Sequence, residues 1–375
     1  MARILYGVAG EGFGHSSRSE LLGQRLINAG HTVLFAASRK SYSYLKPTFQ
    51  DAVQPVYGLS FYCRNGRVYP MRTLWQNIAG YPKGAAANRR LFADSVEPFE
   101  PDLVISDFEP FSAWWAQRHR VPCVSIDHEH VLTCCELDGE RALWKERLLA
   151  QIVTRGYHTF ADAYLIPNFF KAPVTNAHAA LTPPVVRNIV LNQRPESGEH
   201  VVMYATGADE KMRQRILDIA QSFRRHRFYV YGFNRDLERG NCVFKKTSTD
   251  GFIRDLASCR GVIATAGFSL ISECLHFRKP MLLIPLQDQY EQLLNTFYVE
   301  KLGLGQRSDT LTGECVGSFL SNLDTPLKTH PLVEYPDNEK FFSIVDNTFK
   351  HIGFDLNLCG SSPKRALCRR SQIRA

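Results

Sequence analysis

At 375 residues, with 44% hydrophobic and 22% charged residues, the chain has the length and composition of two ordinary soluble globular domains. No run of about 18 apolar residues occurs, which excludes a membrane-spanning helix, and the opening Met-Ala-Arg-Ile-Leu-Tyr-Gly is too short and Gly-broken for a signal-peptide core. The formal charge of +8 comes with no recognisable nucleic-acid-reading module, so no nucleic-acid partner is expected.

Arg3 to Val8 reads as the first strand. The loop Ala9-Gly10-Glu11-Gly12-Phe13-Gly14-His15-Ser16-Ser17-Arg18 leads from it into a helix carried by Leu21, Leu22, Leu26 and Ile27. Gly30 stops that helix, and Thr32 to Ala37 is the second strand. The glycines lack the G-x-G-x-x-G spacing, and Ser38-Arg39-Lys40 stands where a dinucleotide site needs an acid, so a dinucleotide fingerprint is rejected. What remains is a His at the carboxyl edge of a strand, able to take a proton from a hydroxyl near neutral pH.

Residues 60 to 92 mix bases with aromatics (Phe61, Tyr62, Arg64, Arg67, Tyr69, Arg72, Trp75, Arg89, Arg90). This suits an anionic glycan or a membrane-bound acceptor, and equally a plain amphipathic helix. Val104 and Ile105 form strand core, with Asp107 at its carboxyl edge, placed either to serve a site or to cap the helix starting near Pro110; Glu109 stands beside it. The next strand, from Val121, ends in Asp127-His128-Glu129-His130. His-x-His with flanking acids invites a metal reading, but a mononuclear site needs three or four convergent ligands. The expectation is an acceptor-side lining of His128, Glu129 and His130, with no metal. Residues 140–160 read as one amphipathic helix through Leu143, Trp144, Leu148, Leu149, Ile152 and Val153. Ala161 to Pro167 is a strand, and the proline-rich stretch from Asn168 to Pro195 marks a domain boundary.

The second half restarts with strand His200–Tyr204 and a Thr206-Gly207 turn. A helix (Lys211 to Phe223), two strands (Arg227 to Tyr231, Val243 to Lys245) and a helix entered through Phe252 and Ile253 follow. Val262 to Thr265 is a buried parallel strand, broken by Gly267. Ser269 can N-cap the next helix, which Lys279-Pro280 ends before strand Met281 to Ile284. Free amides and the positive dipole end at that helix start favour a phosphate, and Gly267 allows close approach. Glu273, one turn on, is placed to accept two hydroxyls of a ribose diol. The loop Gln287-Asp288-Gln289-Tyr290-Glu291-Gln292 crowds polar groups at the next strand end, where α/β sheets bind ligands. Residues 336 to 352 form a last amphipathic helix.

Ala-Gly267-Phe-Ser269-Leu-Ile-Ser-Glu273, Lys279-Pro280, the run from Pro285 to Asn295, and Leu304-Gly305 together resemble the donor-binding half of GT-B glycosyltransferases. The similarity is greatest to MurG-like enzymes, the UDP-glucuronosyltransferase superfamily and their bacterial relatives. The resemblance is dense over 250–305, moderate over 1–20 and 100–130, and slight elsewhere. It implies Gly267 and Ser269 at a nucleotide diphosphate, Glu273 at the ribose, and Gln287, Asp288 and Gln289 at the sugar, with Glu291 and Gln292 assisting. It also implies Phe252 and Ile253 against a uracil and gives Thr206-Gly207 a phosphate contact. Gly12-x-Gly14-His15-x-x-Arg18 then faces the acceptor, with His15 as base and Asp107 orienting it as in hydrolytic triads. The lack of any Asp-x-Asp pair argues against a metal-dependent GT-A enzyme.

The expected architecture is α/β: two doubly wound Rossmann-like domains facing a cleft. Residues 1–185 would form the acceptor side and 186–335 the donor side. Residues 336–355 would return to the first domain, and 360–375 would be a basic tail. The expected activity is inverting, metal-independent transfer from a UDP-linked or other nucleotide sugar to a glycan, lipid or small-molecule hydroxyl, within cell-envelope glycan or glycolipid synthesis. No cofactor is expected. Ten cysteines without C-x-x-C pairing fit a cytoplasmic setting, and the basic tail leaves peripheral contact with the inner membrane face open. The alternatives are a nucleotide-sugar 2-epimerase of the same fold, whose Gly-Gly-containing donor loop Gly267-Phe268-Ser269 does not match, and a non-catalytic nucleotide-sugar-binding protein.

Overall fold

The computed structural model describes residues 1–354 except 59, 61, 65, 66, 140, 158, 159, 206–208, 247 and 328. Two seven-stranded sheets organise it. The first runs Val53–Pro55, Thr32–Ala37, Arg3–Val8, Leu103–Asp107, Cys123–Ile126, Ala163–Pro167, Ala179–Thr182, parallel throughout. The second runs Leu237–Arg239, Cys242–Phe244, Arg227–Tyr231, His200–Tyr204, Gly261–Ala264, Met281–Leu283, Gly305–Arg307, and only Leu237–Arg239 is antiparallel. The central strands are buried on both faces. Ile4, Leu5, Tyr6 and Val8, and every residue from Leu103 to Asp107, are inaccessible or nearly so. That explains why these segments are continuous apolar runs rather than alternating ones.

Each sheet reverses its winding beside its first strand. Arg3–Val8 lies between Thr32–Ala37 and Leu103–Asp107, and His200–Tyr204 lies between Arg227–Tyr231 and Gly261–Ala264. Loops leaving the carboxyl ends of neighbouring strands diverge at such points and leave a crevice between them. The Gly10–Gly12 loop and Asp107 mark it in the first lobe, and the Gly267 turn in the second.

The lobes meet through a shared apolar cluster. In it Phe170 stacks on Tyr298 with ring centroids 3.5 Å apart, and His128 stacks on Phe268 at 4.1 Å. After the second lobe the chain returns. Helix Asn338–His351 buries Phe341, Val345 and Phe349 among the first-lobe residues Ile4, Tyr6 and Leu26, and Asp346 pairs with Arg25 at 2.6 Å. Val186, in the linker between lobes, exchanges hydrogen bonds with the Asn338 side chain. The basic tail at 360–375 lies outside the described residues. Among those described, no helix is long and apolar enough to cross a membrane.

Candidate active site

Gly12, with φ of 87°, turns the chain off the first strand so that helix Phe13–Asn28 starts at once, with no side chain capping it. A residue with a Cβ would be strained at that φ. Histidine 15 therefore falls in the first turn. Arg18 and Ser19 follow three and four residues later, on the same face. All three converge on Asp107, the last residue of its strand and fully buried. His15 Nδ1 donates to Asp107 Oδ1 at 2.7 Å. Arg18 donates from Nε to Oδ2 at 2.8 Å and from Nη2 to Oδ1 at 2.6 Å, and Ser19 Oγ donates to Oδ2 at 3.3 Å. The carboxylate accepts from every side, which turns the Nδ1–H of His15 towards it and leaves Nε2 on the side away from Asp107.

Two expectations on this side are corrected. Arg18 is not available to an acceptor: it is buried, and its charge is spent on Asp107. Glu109, also buried, is the cap of helix Pro110–His119, accepting from the amides of Phe111 and Ser112 at 3.0 and 2.8 Å. Pro110 at the first helical position makes the preceding residue the natural cap. That leaves Asp107 to the site.

The loop after Cys123–Ile126 divides its residues between two tasks. His128 is not an acceptor lining. Its Nδ1 donates to the Pro167 carbonyl at 3.0 Å, its Nε2 lies 3.1 Å from the Asn295 side chain of the other lobe, and burial lowers its pKa to about 4. It is a neutral strut between lobes. His130 is likewise buried, with Nδ1 2.7 Å from Asp127 Oδ1, so it does not line an open acceptor face either. Glu129, between them, does reach the site: its Oε1 is 3.4 Å from His15 Nε2. Glu291, from helix Tyr290–Lys301 of the second lobe, comes close enough that burial and the Glu129 charge raise its carboxyl to about 7. Among the described residues no group of three or more His, Cys, Asp and Glu side chains is arranged to hold a metal ion.

Opposite His15, helix Phe268–His276 begins at Gly267, which rather than Ser269 is its N-cap and makes no side-chain cap bond. The amides of Phe268, Ser269 and Leu270 have no intrahelical acceptor in such a first turn. The space beside Gly267 is open: a Cβ built there meets nothing within 4 Å. A Cβ on Gly14, by contrast, would stand 2.4 Å from Ser269 Oγ, so the His15 loop and this helix mouth directly face each other. Glu273 is largely buried one turn along, and its Oε1 accepts from Arg187 Nε at 2.9 Å and Nη2 at 2.7 Å. Burial raises the Glu273 carboxyl, and Arg187 opposes that shift. Arg187, on the linker, is a site residue that sequence reasoning misses, since nothing in Val185-Val186-Arg187 marks it out.

The remaining donor-side expectations divide. Gln287 is exposed, while Asp288 and Gln289 are half-buried on the loop leading to Glu291; Gln289 Nε2 donates to Glu291 Oε2 at 3.2 Å. Gln292 does not face a ligand. Its Oε1 is buried and accepts from the amides of Ala266 and Leu286, tying the two loops together. Phe252 and Ile253 are core residues inside helix Thr249–Ser258: Ile253 is inaccessible, and Phe252 packs edge-on against Tyr231 and Tyr204. Neither side chain is presented to a base. Thr206 and Gly207 lie outside the described residues.

The family model of glycosyl transferase family 1 matches residues 2–324. An uncharacterized glycosyltransferase of Methanosarcina mazei is 24% identical over 369 residues, covering 88% of this chain and 94% of its own. One from Methanosarcina acetivorans is 24% identical over 332 residues, covering 81% and 85%. Among solved structures, the glycosyltransferase of kitacinnamycin superposes with a TM-score of 0.60 at 16% identity, over 95% of this chain and 96% of that one. MurG of Acinetobacter baumannii gives 0.57 at 12% identity, over 93% and 100%. These likenesses show the GT-B arrangement of the two lobes.

Proposed function

This chain belongs to glycosyl transferase family 1 and is a glycosyltransferase, and from that premise we propose that it moves a sugar from a uridine diphosphate sugar to an acceptor hydroxyl with inversion and without a metal ion. The observation that carries this reading is the facing pair across the lobes. An imidazole whose Nδ1 is committed to Asp107, leaving Nε2 for a ligand, stands next to Gly14, and Gly14 abuts the open mouth of helix Phe268–His276. In the reading, Glu273 takes the ribose diol and the first-turn amides take the diphosphate. The acceptor hydroxyl gives its proton to His15 Nε2 while its oxygen attacks the anomeric carbon. The bond to the diphosphate breaks on the opposite side, and one displacement inverts the centre. Amides aimed at the departing oxygens meet the developing charge in place of a cation.

The acceptor in this reading is carried at an anionic membrane surface. Helix Pro70–Leu91 exposes Met71, Trp75, Ile78 and Tyr81, spaced to form one stripe, beside exposed Arg72 and Lys83. No acid occurs between Asp51 and Asp94. An apolar stripe with purely basic flanks is the pattern of a helix lying in a lipid interface.

The test is a thermal-shift screen of nucleotide diphosphates, followed by turnover with the donors that bind. Uridine diphosphate at a hundredfold excess over its Kd should stabilise by about 2.7 kcal/mol, and Glu273→Ala should abolish the shift. His15→Ala should keep the shift and lose about 10²–10⁴-fold in kcat, and EDTA should leave the wild-type rate unchanged. A His15→Ala enzyme at full speed, or a C2-inverted sugar formed from donor alone, would end this assignment.

A further inference from the structure

Resting on the reading of His15 as the base, we propose that Glu129 holds the acceptor's place on His15 in the ligand-free cleft and receives the proton that must leave before the base can work.

One side of the imidazole is closed. Its Nδ1–H is committed to Asp107, itself fixed by Arg18 and Ser19, so a substrate can reach only Nε2. Glu129 Oε1 stands 3.4 Å from that nitrogen, an ion-pair contact in the path an acceptor hydroxyl would take. The other Glu129 oxygen, Oε2, is buried without a hydrogen-bond partner. A buried acceptor left unmade costs about 1–3 kcal/mol, and the charge of His15, with a smaller part from Arg18, holds the carboxylate there. The residues on either side are anchored, His128 by its ring to the Pro167 carbonyl and His130 by its amide and ring to Asp127, so the Glu129 side chain can swing while its neighbours stay put.

The charges around the ring are Arg18 from its own helix, Asp107 from the strand end, Asp127 and Glu129 from the loop, and Glu291 from the second lobe. Burial disfavours a charged imidazole, but Glu129 and Asp107 outweigh it and raise His15 to about 9. A cation cannot accept the proton of a hydroxyl. The cycle therefore begins with transfer of the Nε2 proton to Glu129 Oε1, giving neutral His15 and a neutral carboxylic acid. Burial already pushes the Glu129 carboxyl up, which suits it to hold that proton. Once neutral, Glu129 has no ion pair to keep it on Nε2, and the acceptor hydroxyl replaces it. The hydroxyl proton passes to Nε2 as the bond from oxygen to the anomeric carbon forms and the bond to the diphosphate breaks. When Glu129 returns it releases its own proton to solvent and restores the pair. One proton leaves per turnover, as transfer from a nucleotide sugar to a hydroxyl requires.

The experiment is an NMR titration of imidazole-labelled, ligand-free full-length protein, with His15→Ala used to assign the resonance. In wild type the His15 midpoint should lie well above 6.5. In Glu129→Gln it should fall so that proton affinity drops about 10- to 100-fold, one to two pH units. Glu129→Asp keeps the charge but withdraws it by one methylene, and should fall between. With a donor that turns over, the acid limb of kcat/KM in Glu129→Gln should move to higher pH, up to the His15 midpoint, because the Nε2 proton then has no carboxylate to pass to and must leave to solvent. A wild-type midpoint near 6.5, or midpoints equal in all three proteins, overturns the proposal. Full activity of His15→Ala would defeat the base assignment while leaving the titration result standing.

Discussion

In the proposed donor site a single ion pair, Arg187 with Glu273, would set the affinity for the ribose. Glu273 is buried deeply enough that its carboxyl is raised, yet a ribose diol needs it as a carboxylate with a free lone pair. Arg187 supplies two donors to one oxygen and so holds the charge while leaving Oε2 for a ligand. Removing the guanidinium leaves a buried acid that protonates more readily and turns from acceptor to donor. Arg187→Ala should therefore weaken uridine diphosphate binding by about 10- to 100-fold, as loss of a hydrogen bond to a charged group of about 1.5–3 kcal/mol implies. The loss should deepen as pH falls, because the raised carboxyl takes up its proton first. Calorimetry against uridine diphosphate and its 2′-deoxy analogue would check this: the deoxy ligand, already lacking one of the two hydroxyls, should lose less. Equal losses would mean that Arg187 supports the fold rather than the acid.

At the scale of elements, helix Pro70–Leu91 invites the most direct test. Trp75 is 65% exposed in the middle of its stripe, so replacing it costs the fold little but removes the largest apolar group offered to an interface. Trp75→Glu should cut co-sedimentation with vesicles containing a third phosphatidylserine by at least tenfold and leave binding of uridine diphosphate unaltered; undiminished sedimentation would sink the membrane reading. The same helix marks the limit of what a sequence reveals. Periodicity announces a stripe but not what covers it. Residues Trp144, Leu148, Leu149 and Ile152 of helix Trp144–Tyr157 form another stripe, also turned to solvent. Strand ends and Gly turns are more legible, because they are local: a residue closing a buried strand, or opening a helix beyond Gly12, can be placed at the crevice from spacing alone. His15, Asp107 and Gly267 belong to that class. Glu129 and Glu291 do not, since their approach depends on how two separately wound sheets dock. Gln292, Phe252 and Ile253 differ from expectation for a related reason: they lie near the site in sequence, but their side chains turn inward to hold its loops or core.

The whole molecule is closed by its last described helix, and that has a consequence for how it unfolds. Helix Asn338–His351 follows the second lobe in the chain but completes the core of the first, with Phe341, Val345 and Phe349 inaccessible among Ile4, Tyr6 and Leu26. The first lobe therefore cannot finish its core until the second lobe's chain is present, and a lesion near the C-terminal end of the described chain should be felt at the other end of the sequence. Phe349→Ala removes a buried ring whose loss typically costs about 3–5 kcal/mol. All four tryptophans, at 75, 114, 115 and 144, lie in the first lobe, so their fluorescence reports that lobe while far-ultraviolet circular dichroism reports both. The fluorescence midpoint in urea should fall by about 1–2 M, taking a slope of about 2–3 kcal/mol per molar for a lobe of this size. If the cluster joining the lobes makes them unfold together, the dichroism midpoint falls with it; if not, the fluorescence transition separates and moves first. Only a fall in dichroism with fluorescence unmoved would mean that the helix serves the lobe it follows rather than the lobe it packs on.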